Sequence, residues 1–144
     1  MRTMTFDTLD AMLTWLASYR PMYYHYIALD ARLTGIRSPS FEESPSGHDG
    51  RPLDARIIDM IQDKEELEDK MEEIRITIAM VKDIRYLSYS ILWEKFVMFK
   101  TLEEIALMHH YSVDHVKHEL YPRAKLDLFR LIQTPHQTTP EQML

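Results

Sequence analysis

The chain has 144 residues, 45% of them hydrophobic, and carries 17 Lys and Arg against 23 Asp and Glu, a net charge of −6. That length fits one ordinary domain or two very small ones. No cysteine is present, which excludes disulfides and thiolate metal sites and fits a reducing cytoplasm.

The N-terminus lacks a charged-then-apolar signal pattern, and no run of about 18 apolar residues occurs. Neither secretion nor membrane insertion is therefore indicated. Only three glycines occur, and alternating strand-like runs are absent, so the expected fold class is all-α. The first segment, Phe6–Leu33, reads as helix with a break or kink at Pro21. Leu9, Leu13, Leu16, Tyr23 and Ile27 recur at steps that keep them near one face. Its tyrosines, interleaved with Arg20 and His25, could stack on nucleic acid. Helix-on-helix packing with wet hydroxyls explains them better. Gly35–Pro52 reads as a flexible loop, because SPS, SPSG and DGRP are turn chemistry.

Leu53–Asp83 is expected to be a long helix. Leu53, Ile57, Met60, Lys64, Leu67, Met71, Ile74, Ile78 and Val81 follow alternating steps of four and three. That is a coiled-coil-like heptad seam with only Lys64 polar. It can be satisfied by Phe6–Leu33 folding back or by a second copy of the chain. Ile58 and Ile61 widen the seam. The acidic run Asp63–Asp69 reads as a solvated helix face.

Ser88–Phe99 leads into the most informative stretch. Ile91, Leu92, Phe96 and Phe99 would face a core, with Trp93 partly buried. Thr101 and Glu104 have capping-box spacing. Thr101–Leu120, TLEEIALMHHYSVDHVKHEL, reads as a helix, a turn of about three residues and a second helix, the plan of a helix-turn-helix. Leu102, Ile105 and Ala106 share one face of the first helix. Ala106 falls where the helices would cross most closely. Ser112 can N-cap the second helix, and Val116 and Leu120 would point back at the first. Val113, Asp114, His115, Lys117 and His118 then face outward, where a recognition helix meets bases and phosphates. Residues 133–144 read as a flexible tail.

TLEEIA, the turn ending in YS, and VKHEL followed by Arg123 and Ala124 together resemble the fourth region of bacterial sigma factors. The longer order of segments resembles phage late-gene transcriptional regulators of the RinA and ArpU type. The similarity is close over about Val97–Arg130. It is looser over Leu13–Asp83, where YRPMYYHYI, RSPSFEESPSGHDGRP and the charged helix follow in the family's order. The resemblance implies a phage or prophage regulator of late genes, acting in the host cytoplasm through a C-terminal helix-turn-helix. One departure stands out. Pro122 sits inside the usual recognition helix, so that helix is expected to be short, with a second segment starting at Pro122.

Three parts follow: residues 1–84 as a helical and coiled-coil oligomerisation module with 35–52 as its loop, residues 85–132 as the DNA-binding domain, and the tail. Candidate DNA-contacting residues are Ser112, Asp114, His115, Lys117, His118 and Arg123, with Lys100 and Thr101 near the backbone at the first helix's N-terminus. Asp114 would accept from cytosine N4, and Lys117 would meet guanine or phosphate. Charge argues the other way. Residues 1–84 hold 10 basic against 16 acidic side chains, and residues 85–132 hold 7 against 6, a local balance of only +1. That is weak beside a typical basic DNA-binding domain. His109, His110, His115 and His118 would add positive charge on protonation.

Those histidines also invite a metal, but no cysteine or obviously convergent carboxylate completes a site. No phosphate loop, GxSxG or HExxH occurs. The sequence therefore predicts no metal, no cofactor and no enzyme. The expected partners are double-stranded DNA, RNA polymerase and a second copy of the chain as a dimer, with no membrane. Two other functions remain open: a small terminase subunit recognising packaging-site DNA, and a sigma-like interaction protein docking on RNA polymerase.

Overall fold

A computed structural model describes residues 5–37 and 53–133. These residues form an all-α structure, in the class expected. None of their helices is long and apolar enough to cross a membrane. The chain divides into two compact units, Met1–Tyr19 with Ile74–Leu144, and Arg20–Glu73. Among the described residues, 5–19 and 74–84 fall in the same unit as the C-terminal part.

In the first unit, α1 (Leu9–Ala17) starts at Thr8, whose side chain accepts from the Ala11 amide. Such a cap satisfies one of the helix's orphan donors. Met12 and Leu16 are fully buried, and α1 lies against the last helix. The chain breaks at Ser18 rather than Pro21. Pro21 is instead the third residue of α2 (Tyr19–Arg37). A proline in the first helical turn lacks only an amide that would have had no partner there.

The last turns of α3 (Leu53–Ala79) bring Ile74 and Ile78 into the first unit's core, and a 3₁₀ turn over Met80–Asp83 adds Val81. Then come α4 (Tyr86–Leu92) and a wide π turn, Trp93–Val97. Ile91, Leu92 and Phe96 are buried there. The remainder is α5 (Leu102–His109), α6 (Val113–His115), a second π turn (Val116–Leu120) and α7 (Tyr121–Gln133). Ala124, Leu128 and Ile132 line the buried stripe of α7, which packs on α4 and α1. Gln133, expected in the frayed tail, closes this unit. Its side-chain amide donates to the Phe6 carbonyl at 2.9 Å and accepts from the Phe6 amide at 3.1 Å. The tail from 134 onward lies outside the described residues.

In the second unit, Leu29 and Leu33 of α2 and Met71 of α3 are buried. Lys64, the polar residue of the heptad seam, donates to Asp30 at 2.6 Å and lies over the Tyr26 ring at 5.2 Å. Along the seam Met60 and Leu67 are half-buried, while Leu53 is exposed. Gly35–Arg37, expected in the loop, end α2 as helix; residues 38–52 lie outside the described residues.

Candidate nucleic-acid interface

The stretch singled out from sequence lies wholly in the first unit. Thr101 accepts from the Glu104 amide at 3.1 Å, and the Glu104 carboxylate accepts from the Thr101 amide at 2.8 Å. Both halves of the capping box are thus made. The bond to the Thr101 amide holds the Glu104 carboxyl below its ordinary range. Ala106 is 1% exposed, consistent with a small side chain at the close approach of two helices.

The turn that follows is tight. His110 takes a left-handed conformation, φ 64°, and the Tyr111 amide donates back to the Ala106 carbonyl at 2.9 Å. This is the geometry in which helices commonly end, usually with glycine at the left-handed position. Ser112 then caps α6 by accepting from the His115 amide at 3.1 Å.

Val116 and Leu120 are buried, whereas Asp114, Lys117, His118 and Arg123 are exposed. Pro122 does not interrupt the chain. Tyr121 keeps helical angles, φ −69° and ψ −44°, and the helix runs on as α7. The correction has a physical reason. In the π turn just before, the Tyr121 amide reaches back five residues to the Val116 carbonyl. The wider turn accommodates a proline ring that a regular α-turn would exclude.

Of the eight candidate contacts, Thr101 and Ser112 act as caps, each hydroxyl oxygen accepting one backbone amide. Lys100 is half-buried, its amide bonded to the Glu94 carbonyl at 2.9 Å. The His115 ring lies 5.3 Å from the Tyr111 ring, tilted to it by 52°, and stands 4.0 Å from Glu119. Lys117 reaches across to α5, its Nζ 3.6 Å from a carboxylate oxygen of Glu103. Asp114, Lys117 and His118 therefore form one exposed face, flanked by His115 and Arg123.

Two buried polar clusters escaped the sequence reading. Asp127 on α7 is only 7% exposed. It accepts from Arg85 Nε at 2.9 Å and from the Ser88 hydroxyl at 2.6 Å, which ties α7 to the start of α4. Burial pushes the Asp127 carboxyl up. The bonds from Arg85 and Ser88, with the charges of Arg85 and Arg123, outweigh burial and hold it below the usual carboxylate range. The second cluster joins Glu94 in the first π turn to His109 at the end of α5, with Nε2 2.9 and 3.1 Å from the two carboxylate oxygens. Ser90 also donates to Glu94, at 3.0 Å. His109 is thus part of the interior that holds α5, rather than of an outward face. A signal for the first cluster existed: Asp127 sits next to Leu128 at core spacing from Ala124. For the second there was none, because fifteen residues separate its partners.

Among the described residues no group of three His, Cys, Asp or Glu side chains converges as a metal would require. Comparison with protein-family models, curated proteins and solved structures finds no match for this chain.

Proposed function

We propose that this protein is a phage or prophage transcriptional regulator that binds duplex DNA through residues 112–123. The observation that carries the reading is the orientation of the segment after Ser112. Val116 and Leu120 point into the core while Asp114, Lys117 and His118 point out, three residues after a helix that supports them from behind. A helix so presented can enter a major groove, with its capped start near phosphate. Lys117 would donate to guanine or phosphate, Asp114 would accept from cytosine N4, and His118 and Arg123 would contact the backbone. A second copy, associating through the partly covered α3 seam, would double these contacts. The local charge of +1 implies few phosphate contacts and so a shallow dependence of affinity on salt.

The test is duplex binding by wild type and by a variant with Lys117, His118 and Arg123 all replaced by Ala. A loss of tenfold or more is expected, from roughly 1–3 kcal/mol per specific contact. Unchanged affinity would remove these residues from the interface.

One observation favours a second reading, a sigma-like protein that docks on RNA polymerase. Leu107 is 78% exposed, and Met108 and Tyr111 beside it are exposed as well. Apolar side chains grouped in this way suit a protein partner. Failure to bind any duplex at low salt, with stable binding to polymerase, would select it.

A further inference from the structure

The buried Asp127 carboxylate is held by Arg85, and the two side chains differ sharply in exposure, 7% against 44%. Among the described residues, Arg85 uses only Nε, which donates to Asp127 Oδ2 at 2.9 Å. An arginine carries five N–H donors in a rigid fork, so both Nη groups remain open. Arg123 stands four residues before Asp127 on α7 and is exposed. Side chains at that spacing on a helix are neighbours. Asp127 therefore has two guanidinium groups beside it, and the charge of each bears on its carboxyl. The carboxylate offsets one of the two positive charges, and the other remains.

The bond to a buried carboxylate fixes the Arg85 side chain. Rotamer freedom is then lost on folding rather than on binding. A planar fork held in this way suits a phosphate, which can accept two parallel N–H bonds. The bond to Asp127 need not break, because the phosphate takes different donors.

We propose that Arg85 is a further phosphate-contacting residue, which extends the duplex-binding surface from Arg123 onto the start of α4; this rests on the DNA-binding reading above. Asp127 positions the guanidinium through Nε, and the Nη groups bind a backbone phosphate beside the one met by Arg123. Contacts of this kind fix register and add affinity without reading sequence.

The experiment uses the full chain with two probes, a random-sequence duplex and a duplex recovered by repeated selection from a random library with wild type. Affinity is measured over a salt series, at a temperature where circular dichroism shows every variant folded. Arg85→Gln is expected to weaken binding to both duplexes by the same factor, about tenfold at low salt. The slope of log affinity against log salt should become shallower by up to about 0.9, the value for one lost phosphate contact. Arg85→Lys keeps the charge but not the fork, so it should keep the slope of wild type and recover part of the affinity. A merely structural role would lower thermal stability and leave the slope where it is. An unchanged slope in Arg85→Gln would therefore overturn the proposal while sparing the DNA-binding reading. So would a slope as shallow in Arg85→Lys as in Arg85→Gln, or weaker binding of the selected duplex alone, which marks a base contact. The same loss of slope in Lys70→Gln, an exposed cation of the other unit, would overturn it by showing only net charge at work. Absence of any duplex binding by wild type would overturn both readings.

Discussion

The two compact units share one heptad seam and complete it differently. In the unit containing Ile74–Leu144, the seam residues Ile74, Ile78 and Val81 are fully buried, as are Met12, Leu16, Ile91, Leu92 and Leu128 of the same unit. In Arg20–Glu73, Met71 is buried, but the seam residue Leu53 is 37% exposed and Ile58 beside the seam 53%, and the seam's one polar residue, Lys64, is held by its bridge to Asp30. A repeating apolar pattern states which face wants cover. It does not state how much cover the fold supplies.

Core truncation should break the comparison most visibly. Ile74→Ala is expected to cost about 2–5 kcal/mol, because it removes a fully buried side chain and leaves a cavity. Ile58→Ala, one position off the seam and 53% exposed, should stay within about 0.5 kcal/mol in the monomer. Urea denaturation at low protein concentration measures both. Equal costs would mean that the Arg20–Glu73 unit is as fully packed as the other. A large cost for Ile58→Ala that appears only at high concentration would mark a second copy on this face.

Next come two of the ion pairs, one taken from each unit. Asp127→Asn should cost roughly 1–3 kcal/mol, since it removes a charge-assisted partner from Arg85 and unbalances the bond from Ser88. The pH dependence has a definite sign. A carboxyl held below its ordinary range when folded gives stability that is present above its unfolded pKa of about 3.9, and lost as pH falls through the folded value. Wild type should therefore lose stability on acidification below about pH 4 more steeply than Asp127→Asn does. Parallel acid curves for the two proteins would remove Asp127 from the account. Breaking the half-exposed Lys64–Asp30 bridge by Asp30→Asn should cost less, within about 1 kcal/mol.

The smallest effect sharpens the comparison by strain rather than by contact. The two described non-glycine residues with positive φ, Phe99 and His110, both lie in the more fully buried unit. Such conformations persist where surrounding structure over-determines them. His110→Gly should raise stability by up to about 1 kcal/mol, because glycine carries no steric penalty at the left-handed helix end. Thermal unfolding of the variant checks this, and a lower melting temperature would mean that the His110 side chain holds the turn. Phe99→Gly should not share the gain, since the Phe99 ring lies 6.2 Å from Tyr19 and would be lost.

The candidate interface divides along a similar line. Its local geometry could be read from sequence because it depends on neighbours. Thr101 and Glu104, Ser112 and His115, and the alternation of Val116 and Leu120 with Lys117 and His118 all act within one or two helical turns, where 3.6-residue periodicity and capping chemistry decide the outcome. Pro122 departs from the sequence expectation for a reason that is also local. A π turn is not signalled by composition, and it removes the clash that proline would otherwise cause.

The sequence by itself determined the all-α class, the capped ends of α5 and α6, and the inward face of the segment after Ser112. These follow from helix propensity, side-chain hydrogen bonding and spacing, all short-range. Only the tertiary structure decided that Ser18 rather than Pro21 ends α1, that Asp127 finds Arg85 and Ser88, that His109 turns inward to Glu94, and that Lys117 meets Glu103. Each of these depends on which surfaces the folded chain brings together. A buried charge can be kept only where a distant residue supplies its partner, and no short window of sequence holds both halves of such a pair.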